Sequence, residues 1–199
     1  IEVVGLDRGD RDPRLVQLRL DVRSRSLRAS DATAGTSLEG TGLVASLVGP
    51  GLVLAPSGPT SLGGEGSARE PDVLDVAFDG LALAEGTSTS ARLAHPRLHA
   101  EGAGLVGAMT ANTAAEGRVS LEAERLEARS GGDSANLAPV SLSTELHAFL
   151  RNPAGLFGLG GRASIRLATT GTVSSAGQVA RVSGFAPALE ADFDRGTVE

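Results

Sequence analysis

The sequence contains no cysteine, lysine, tryptophan or tyrosine, and its only aromatic residues are five phenylalanines. Without cysteine the chain cannot form a disulfide framework, a thiolate metal site or a thiol nucleophile, because each needs sulfur at defined positions. Without lysine it cannot form a Walker phosphate-binding loop, whose lysine reaches the phosphates. The scarcity of aromatic rings also argues against single-stranded nucleic-acid binding, because bases stack on such rings.

The charge is mildly acidic and has no basic stripe. All 18 basic residues are arginine, against 24 acidic residues, and the formal net charge is −6. Because nucleic-acid binding requires clustered cations that displace counterions, we expect no nucleic-acid partner. The longest apolar stretch, residues 42–55, is broken by Gly49, Pro50 and Gly51 and is shorter than the roughly 20 residues of a membrane-spanning helix.

Alternation of apolar and polar residues is the dominant local pattern. It runs through residues 14–22, 74–79, 140–145 and 163–168, and this period of two is typical of strands with one half-buried face. The sequence therefore predicts an all-β, mostly antiparallel fold, either a sandwich or an extended curved sheet. We expect residues 1–199 to form a single β-rich domain or a fragment of a longer chain, with any membrane association supplied by other segments.

Two segments depart from the simple strand pattern. Residues 50–72 hold four of the nine prolines together with repeated glycine and serine, so they are predicted to form a loop or an internal linker. Residues 119–130 contain good helix formers followed by two glycines, so a short helix and a strand are both open for that segment.

A weak repeat recurs four times: an aliphatic residue, four intervening positions, leucine, one position, and then alanine or leucine. Chance matches in a glycine-rich β chain are the plain alternative to a true repeat. The four instances are Val22, Leu27, Ala29; Val76, Leu81, Leu83; Leu93, Leu98, Ala100; and Leu121, Leu126, Ala128.

The five-residue spacing in this repeat requires a turn, a bulge or a bend if both apolar pairs are to share one face. Because five is odd, an uninterrupted strand would place the second apolar pair on the opposite face. In one instance Asp79 and Gly80 resemble a hairpin turn that would pair Phe78 with Leu81 and Val76 with Leu83. For the other instances we predict a bulge or a strand bend.

An apolar surface of leucine, valine and alanine suits a flexible aliphatic ligand, because it imposes no aromatic shape. The predicted lipid contacts are the members of the repeat on either side of the five-residue spacing. They are Val22, Leu27, Val76, Leu81, Leu93, Leu98, Leu121 and Leu126.

Residues 14–132 contain recurring amphipathic strand segments of low complexity, such as A-R-L-A-H-P-R-L-H-A-E-G (91–102) and V-S-L-E-A-E-R-L-E-A-R-S-G-G (119–132). In these segments the chain resembles the AsmA, TamB and YdbH-like proteins of the bacterial envelope. The resemblance implies a non-enzymatic β-rich scaffold in the cell envelope or periplasm. Its apolar groove would bind or transfer phospholipid or other acyl-chain ligands.

A second resemblance covers residues 140–177, in which an alternating strand runs into Asn152-Pro153, an aliphatic segment, a second strand and a glycine turn. This order is similar to the start of a type 2 late embryogenesis abundant (WHy) domain. The resemblance implies an immunoglobulin-like sandwich with a binding or protective role, although Asn152-Pro153 is also a common turn start. A structural surface or adhesin β domain is a further alternative.

The sequence offers little sign of catalysis or metal binding. His95 and His99 lie near Glu101, but four residues of strand span about 13 Å, which is too far for two side chains to share one ion. The G-x-S-x-G pattern of serine hydrolases is absent from the sequence. We therefore expect no catalytic residues, no metal and no cofactor.

Overall fold

In the part of the chain that it describes, the computed structural model is almost entirely β-structure, and its 16 strands form one sheet with antiparallel pairing. This confirms the predicted all-β, antiparallel class in its extended-sheet form. Within the described part of the chain, no helix has the length and hydrophobicity needed to cross a membrane. The structure describes residues 2–8, 13–50, 52–55, 58–61, 71–103, 114–152, 154 and 158–198.

The strands of the sheet range from two to 19 residues in length. The strands are β1 (Glu2–Arg8), β2 (Pro13–Asp31), β3 (Thr36–Pro50), β4 (Leu52–Ala55), β5 (Gly58–Ser61), β6 (Asp72–Ala77), β7 (Gly80–Glu85), β8 (Thr89–Ala94), β9 (Arg97–Ala103), β10 (Ala115–Ala123), β11 (Arg125–Ser130), β12 (Asp133–Arg151), β13 (Leu159–Ser175), β14 (Gln178–Phe185), β15 (Ala188–Asp192) and β16 (Thr197–Val198).

Several neighbouring strands are two halves of one long strand. On β3, Val44 lies opposite Ala77 of β6 and Thr41 lies opposite Gly80 of β7, so β6 and β7 continue in one register. The pairs β8–β9 and β10–β11 follow the same rule, and β14–β15 do so along β13. The centre of the molecule is therefore a meander in the order β2, β3, β6–β7, β8–β9, β10–β11, β12, β13 and β14–β15.

Short polar turns join the long strands at one end of the sheet. The side chain of Asp31 accepts hydrogen bonds from the backbone N–H groups of Thr33 (2.8 Å) and Ala34 (3.2 Å), and this arrangement stabilises the β2–β3 turn. Gly35 closes the same turn with φ of 64°, a conformation that a side chain disfavours. Such turns set adjacent strands antiparallel with little intervening chain.

The predicted hairpin at Asp79-Gly80 is wrong. Val76 lies opposite Ala45 and Leu98, while Leu81 lies opposite Gly40 and Leu93, so the chain continues in the same direction through this point. The backbone N–H of Asp79 donates to the carbonyl of Thr41 on β3. This bond holds the segment to its neighbour as a bend, because a hairpin turn would instead have folded β7 back onto β6.

The helix considered for residues 119–130 is also wrong. The segment forms β10 and β11, which pair with β9 and β8 on one side and with β12 on the other. Two flanking ladders satisfy its backbone groups, so tertiary pairing overrides the helix propensity of its alanine, leucine and glutamate residues.

Residues 50–72 contain two four-residue strands, β4 and β5, that pair with each other. Pro50 ends β3 and Asp72 begins β6, and residues 51, 56–57 and 62–70 of this predicted loop or linker lie outside the described residues. Residues 140–177 fall largely in β12 and β13, within the same sheet as the rest of the chain. Between these strands the side-chain oxygen of Asn152 accepts a hydrogen bond from the N–H of Ala154 (3.1 Å), which is a turn-forming contact.

Candidate functional site: the apolar face of the sheet

Two rows of aliphatic side chains cross the sheet at right angles to the strands. Residues directly opposite in antiparallel strands share a face, so a row in register is a ridge on one side of the sheet. The upper leucine row is Val22, Ala45, Val76, Leu98, Leu121, Leu142 and Leu167. The lower leucine row is Leu27, Gly40, Leu81, Leu93, Leu126, Leu137, Gly171 and Val182.

Several of the long strands bend between the leucine rows, and these bends keep both rows on the same face. A Cβ atom built on Gly40 would lie 2.8 Å from the Phe78 ring and 3.5 Å from Leu81 Cδ1, so these two side chains lie on one face. Phe78 follows Val76 by two residues and therefore shares its face too. His95 marks the bend of the next strand with φ of 47°. The bends explain how a five-residue spacing can return to the same face.

The bend itself carries a third row, which we call the kink row. Its members in the described strands are mostly small and buried, whereas the flanking leucines are half-buried. This pattern indicates that the sheet is concave here on its apolar side, with the leucine rows leaning over the bend. The kink row is Phe78, Pro96, Ala123, Val140, Thr169 and Phe185.

A shallow depression of about 310 Å³ lies on the same face near the turns. Its floor consists of Ala91, Ala128 and Ala135, which lie side by side in register on three adjacent strands. Leu83 and Val173 flank these alanines on the outer strands, and they are 50% and 38% exposed. Small side chains between larger ones leave an apolar hollow that is open to solvent.

The apolar face is exposed to an unusual degree. Among the side chains that the structure describes, no leucine, isoleucine or phenylalanine is buried. The buried apolar side chains in the described residues are alanines, one valine and Pro96, which lie low between their neighbours. A second layer of structure would bury the leucine rows, because packed sheets remove such residues from water. The two leucine rows thus form an accessible aliphatic surface.

The opposite face is polar and carries alternating charges. Arg28 lies 3.4 Å from Glu39 on the adjacent strand, and Arg118 lies 3.2 Å from Glu145. All four side chains are exposed. Cross-strand pairs of opposite charge stabilise a sheet modestly and keep this face hydrated.

Each histidine on this chain faces its own carboxylate on a neighbouring strand. The Nδ1 atom of His95 lies 3.0 Å from Glu124, and that of His99 lies 2.7 Å from Asp75. The Nδ1 atom of His147 lies 3.4 Å from Glu116. Within the described residues, no group of three or more potential ligands could hold a metal ion.

The largest hollow among the described pockets, about 770 Å³, is polar and lies at the far end of the sheet. Three of its carboxylates accept hydrogen bonds from nearby backbone or hydroxyl groups. Glu116 accepts the backbone N–H of Ala148 (2.7 Å), and Asp194 accepts that of Gly161 (2.9 Å). Glu190 accepts the hydroxyl of Ser164 (2.7 Å). These contacts stabilise strand irregularities, and Glu116 also lies 3.4 Å from His147.

The structure brings all eight predicted contact residues onto one face. Four of them lie in the upper leucine row and four lie in the lower row. The predicted set missed Leu137 and Leu142, which also have the five-residue spacing, because Thr144 stands where the repeat requires alanine or leucine. It also missed Leu167 and Phe78, since these belong to no instance of the repeat and only the strand register reveals their positions.

Comparison with known proteins gives no match to a family model, to a curated protein or to a solved structure. The class that the geometry defines is an open antiparallel sheet with one aliphatic face and one charged face.

Proposed function

We propose that the chain is a non-enzymatic scaffold of the bacterial envelope whose apolar face binds or transfers the acyl chains of lipids. The observation that carries this proposal is the pair of leucine rows, which cross the sheet in register and remain half exposed. Contiguous apolar surfaces of this kind mark sites of interaction, because leaving them in water is unfavourable. Burial of such a surface by a ligand contributes about 25 cal/mol for each Å² removed from water.

The chemistry of the face favours an acyl chain over other apolar ligands. The leucine rows contain only Leu, Val, Ala and Gly, so they present neither rings for stacking nor charges for a polar headgroup. Along one strand the kink row lies two residues from the upper leucine row and three from the lower, about 6.8 Å and about 10 Å, which leaves grooves that run across the strands. An unbranched chain can lie in such a groove along its whole length.

The backbone of the central strands supports the same choice of ligand. β9 and β10 pair on both edges, as do β12 and β13, so their ladders are already complete. A peptide could add to such a sheet only at an outer edge. A ligand on the central face therefore binds through apolar contact, which is what hydrocarbon provides.

The test is displacement of a fluorescent fatty acid by unlabelled hexadecanoate, measured for the wild type and two neighbouring variants. Leu83→Asp puts a charge on the rim of the depression and, because Leu83 is 50% exposed, should leave the fold intact. We expect its affinity to fall at least about tenfold, since desolvating a carboxylate opposes binding. Ala82→Asp, one residue away on the charged face, should bind as the wild type does.

The leucine rows can be tested in the same assay with Leu81→Asp and Leu98→Asp. We expect both variants to lose binding while they retain the circular dichroism of a β-sheet. The proposal would be overturned if the wild type showed no saturable binding, or if Leu81→Asp and Leu98→Asp bound the fatty acid as tightly as the wild type.

A further inference from the structure

The kink row changes in size along the trough between the leucine rows. Four adjacent strands place small or compact residues there, namely Pro96, Ala123, Val140 and Thr169. All four are buried, so they form the floor of the trough. The two largest side chains of this row are Phe78 and Phe185.

The two phenylalanines occupy different surroundings. Phe185 is 51% exposed and lies on the last long strand of the meander. Phe78 is half-buried, and its ring covers Gly40 on β3, where an added Cβ would lie 2.8 Å and 3.0 Å from two ring atoms. Beyond Phe78 the apolar face continues on β3 and β2 with Gly40 and Leu27.

Phe78 therefore stands across a surface that continues behind it. Five interstrand spacings separate Phe78 from the strand of Phe185, which gives a trough of about 24 Å. One leaflet of a bilayer contains about 15 Å of hydrocarbon, so a single extended acyl chain fits this length. A chain longer than the trough would meet the Phe78 ring before it reached β3.

We propose that Phe78 sets the length of acyl chain that the trough accepts, by closing the trough at its β3 end. This inference rests on the proposed acyl-binding function and adds a specificity-determining residue to it. The space over Gly40 is the extension that the ring occupies. Removing the ring joins the trough to the apolar surface of β3 and β2.

The experiment measures the affinities of dodecanoate, hexadecanoate, eicosanoate and docosanoate for the wild type and for Phe78→Ala. Each methylene that leaves water raises affinity about fourfold. In the wild type we expect this rise to stop at the chain length that fills the trough. In Phe78→Ala the rise should continue to longer chains, by at least about tenfold for docosanoate.

Three further variants isolate the cause. Adding Gly40→Ala to Phe78→Ala returns a methyl group to the vacated space and should move the limit back toward shorter chains. Phe185→Ala removes an equal ring at the other end, where no further long strand is described, and should leave the limit unchanged. Phe78→Leu retains part of the side-chain volume and should give an intermediate limit if Phe78→Ala folds poorly.

The outcomes separate this inference from the proposed function. Wild type that binds no fatty acid contradicts the acyl-binding function itself. Wild type that binds, with the same length limit in Phe78→Ala and Phe78→Leu, contradicts the role of Phe78 alone. An equal shift in Phe185→Ala would also contradict it, because the effect would then not depend on the β3 end.

Discussion

The two faces of this sheet are built from the same strands but differ in every property that matters for binding. On β11, Leu126 and Ala128 are half-buried on one face, whereas Arg125, Glu127 and Arg129 are exposed on the other. The charged face matches arginine with glutamate across strands and is suited to water. Among the described residues no second layer covers the leucine rows of the aliphatic face, so these rows remain accessible to solvent.

The comparison also shows where the sheet obtains its stability. Several long strands bend at the kink row, and most of the residues there are small and buried. A close approach occurs between Gly102 and Gly117, where neither residue has room for a side chain. Four predictions examine these features in order of decreasing effect.

The largest effect is expected for Gly102→Val. A Cβ at Gly102 would lie 2.2 Å from the carbonyl oxygen of Glu116 and 2.6 Å from Gly117 Cα, so the β9–β10 backbone must separate. We expect the free energy of unfolding to fall by about 3 kcal/mol in urea denaturation. Gly132→Ala, where an added Cβ meets nothing within 4 Å, should change it by less than about 0.5 kcal/mol. Similar losses in both variants would contradict the close approach.

The second prediction compares the stability loss caused by an added charge on each of the two faces. Leu142→Asp places a charge in the upper leucine row, and we expect a loss of about 2 kcal/mol because half-buried apolar contacts are replaced by a poorly hydrated carboxylate. Ser143→Asp lies one residue away on the charged face, opposite Arg166, and should lose less than about 0.5 kcal/mol. Urea denaturation of both variants measures the difference. Equal losses would show that the faces do not differ in burial.

The third prediction compares the stability loss at one valine of the kink row with the loss at one valine of the charged face. Val140 is 8% exposed and Val44 is 49% exposed. Val140→Ala should cost about 1.5 kcal/mol, because it removes two methyl groups from a packed position, whereas Val44→Ala should cost less than about 0.5 kcal/mol. Thermal denaturation of the two variants gives the comparison. A smaller loss for Val140→Ala would contradict the concave bend.

The smallest effect concerns the charged face. Arg118 and Glu145 are 3.2 Å apart and exposed, so a double-mutant cycle with Arg118→Ala and Glu145→Ala should give a coupling energy below about 0.5 kcal/mol. The coupling should decrease further as salt is added, since exposed charges are screened. A coupling above about 1.5 kcal/mol would show that this face contributes far more than hydration.

Much of this architecture follows from local pattern. Alternation in residues 140–145 and 163–168 predicted strands that the structure contains, and the repeat predicted which leucines share a face. The bend at His95 was also foreseen as a bulge or strand bend, because five residues cannot otherwise return to one face. These features depend on neighbours within a few residues, which a sequence pattern records.

Other features depend on partners that are distant in sequence. Asp79-Gly80 has the composition of a hairpin turn, but pairing with β3 and with β8–β9 holds the segment as a bend. Residues 119–130 have helical composition, but two neighbouring strands make them β10 and β11. The position of Phe78 over Gly40 likewise follows from the register between β3 and β6–β7. No local pattern encodes such registers.

Native mass spectrometry of the protein purified from a bacterial host tests the central claim most directly. If the aliphatic face binds acyl chains, gentle ionisation should show the protein with phospholipid or fatty acid still bound. The Leu83→Asp variant should carry markedly less of this lipid. Ala82→Asp, on the charged face, should carry as much as the wild type. A lipid-free mass for the wild type under the same conditions would contradict the account.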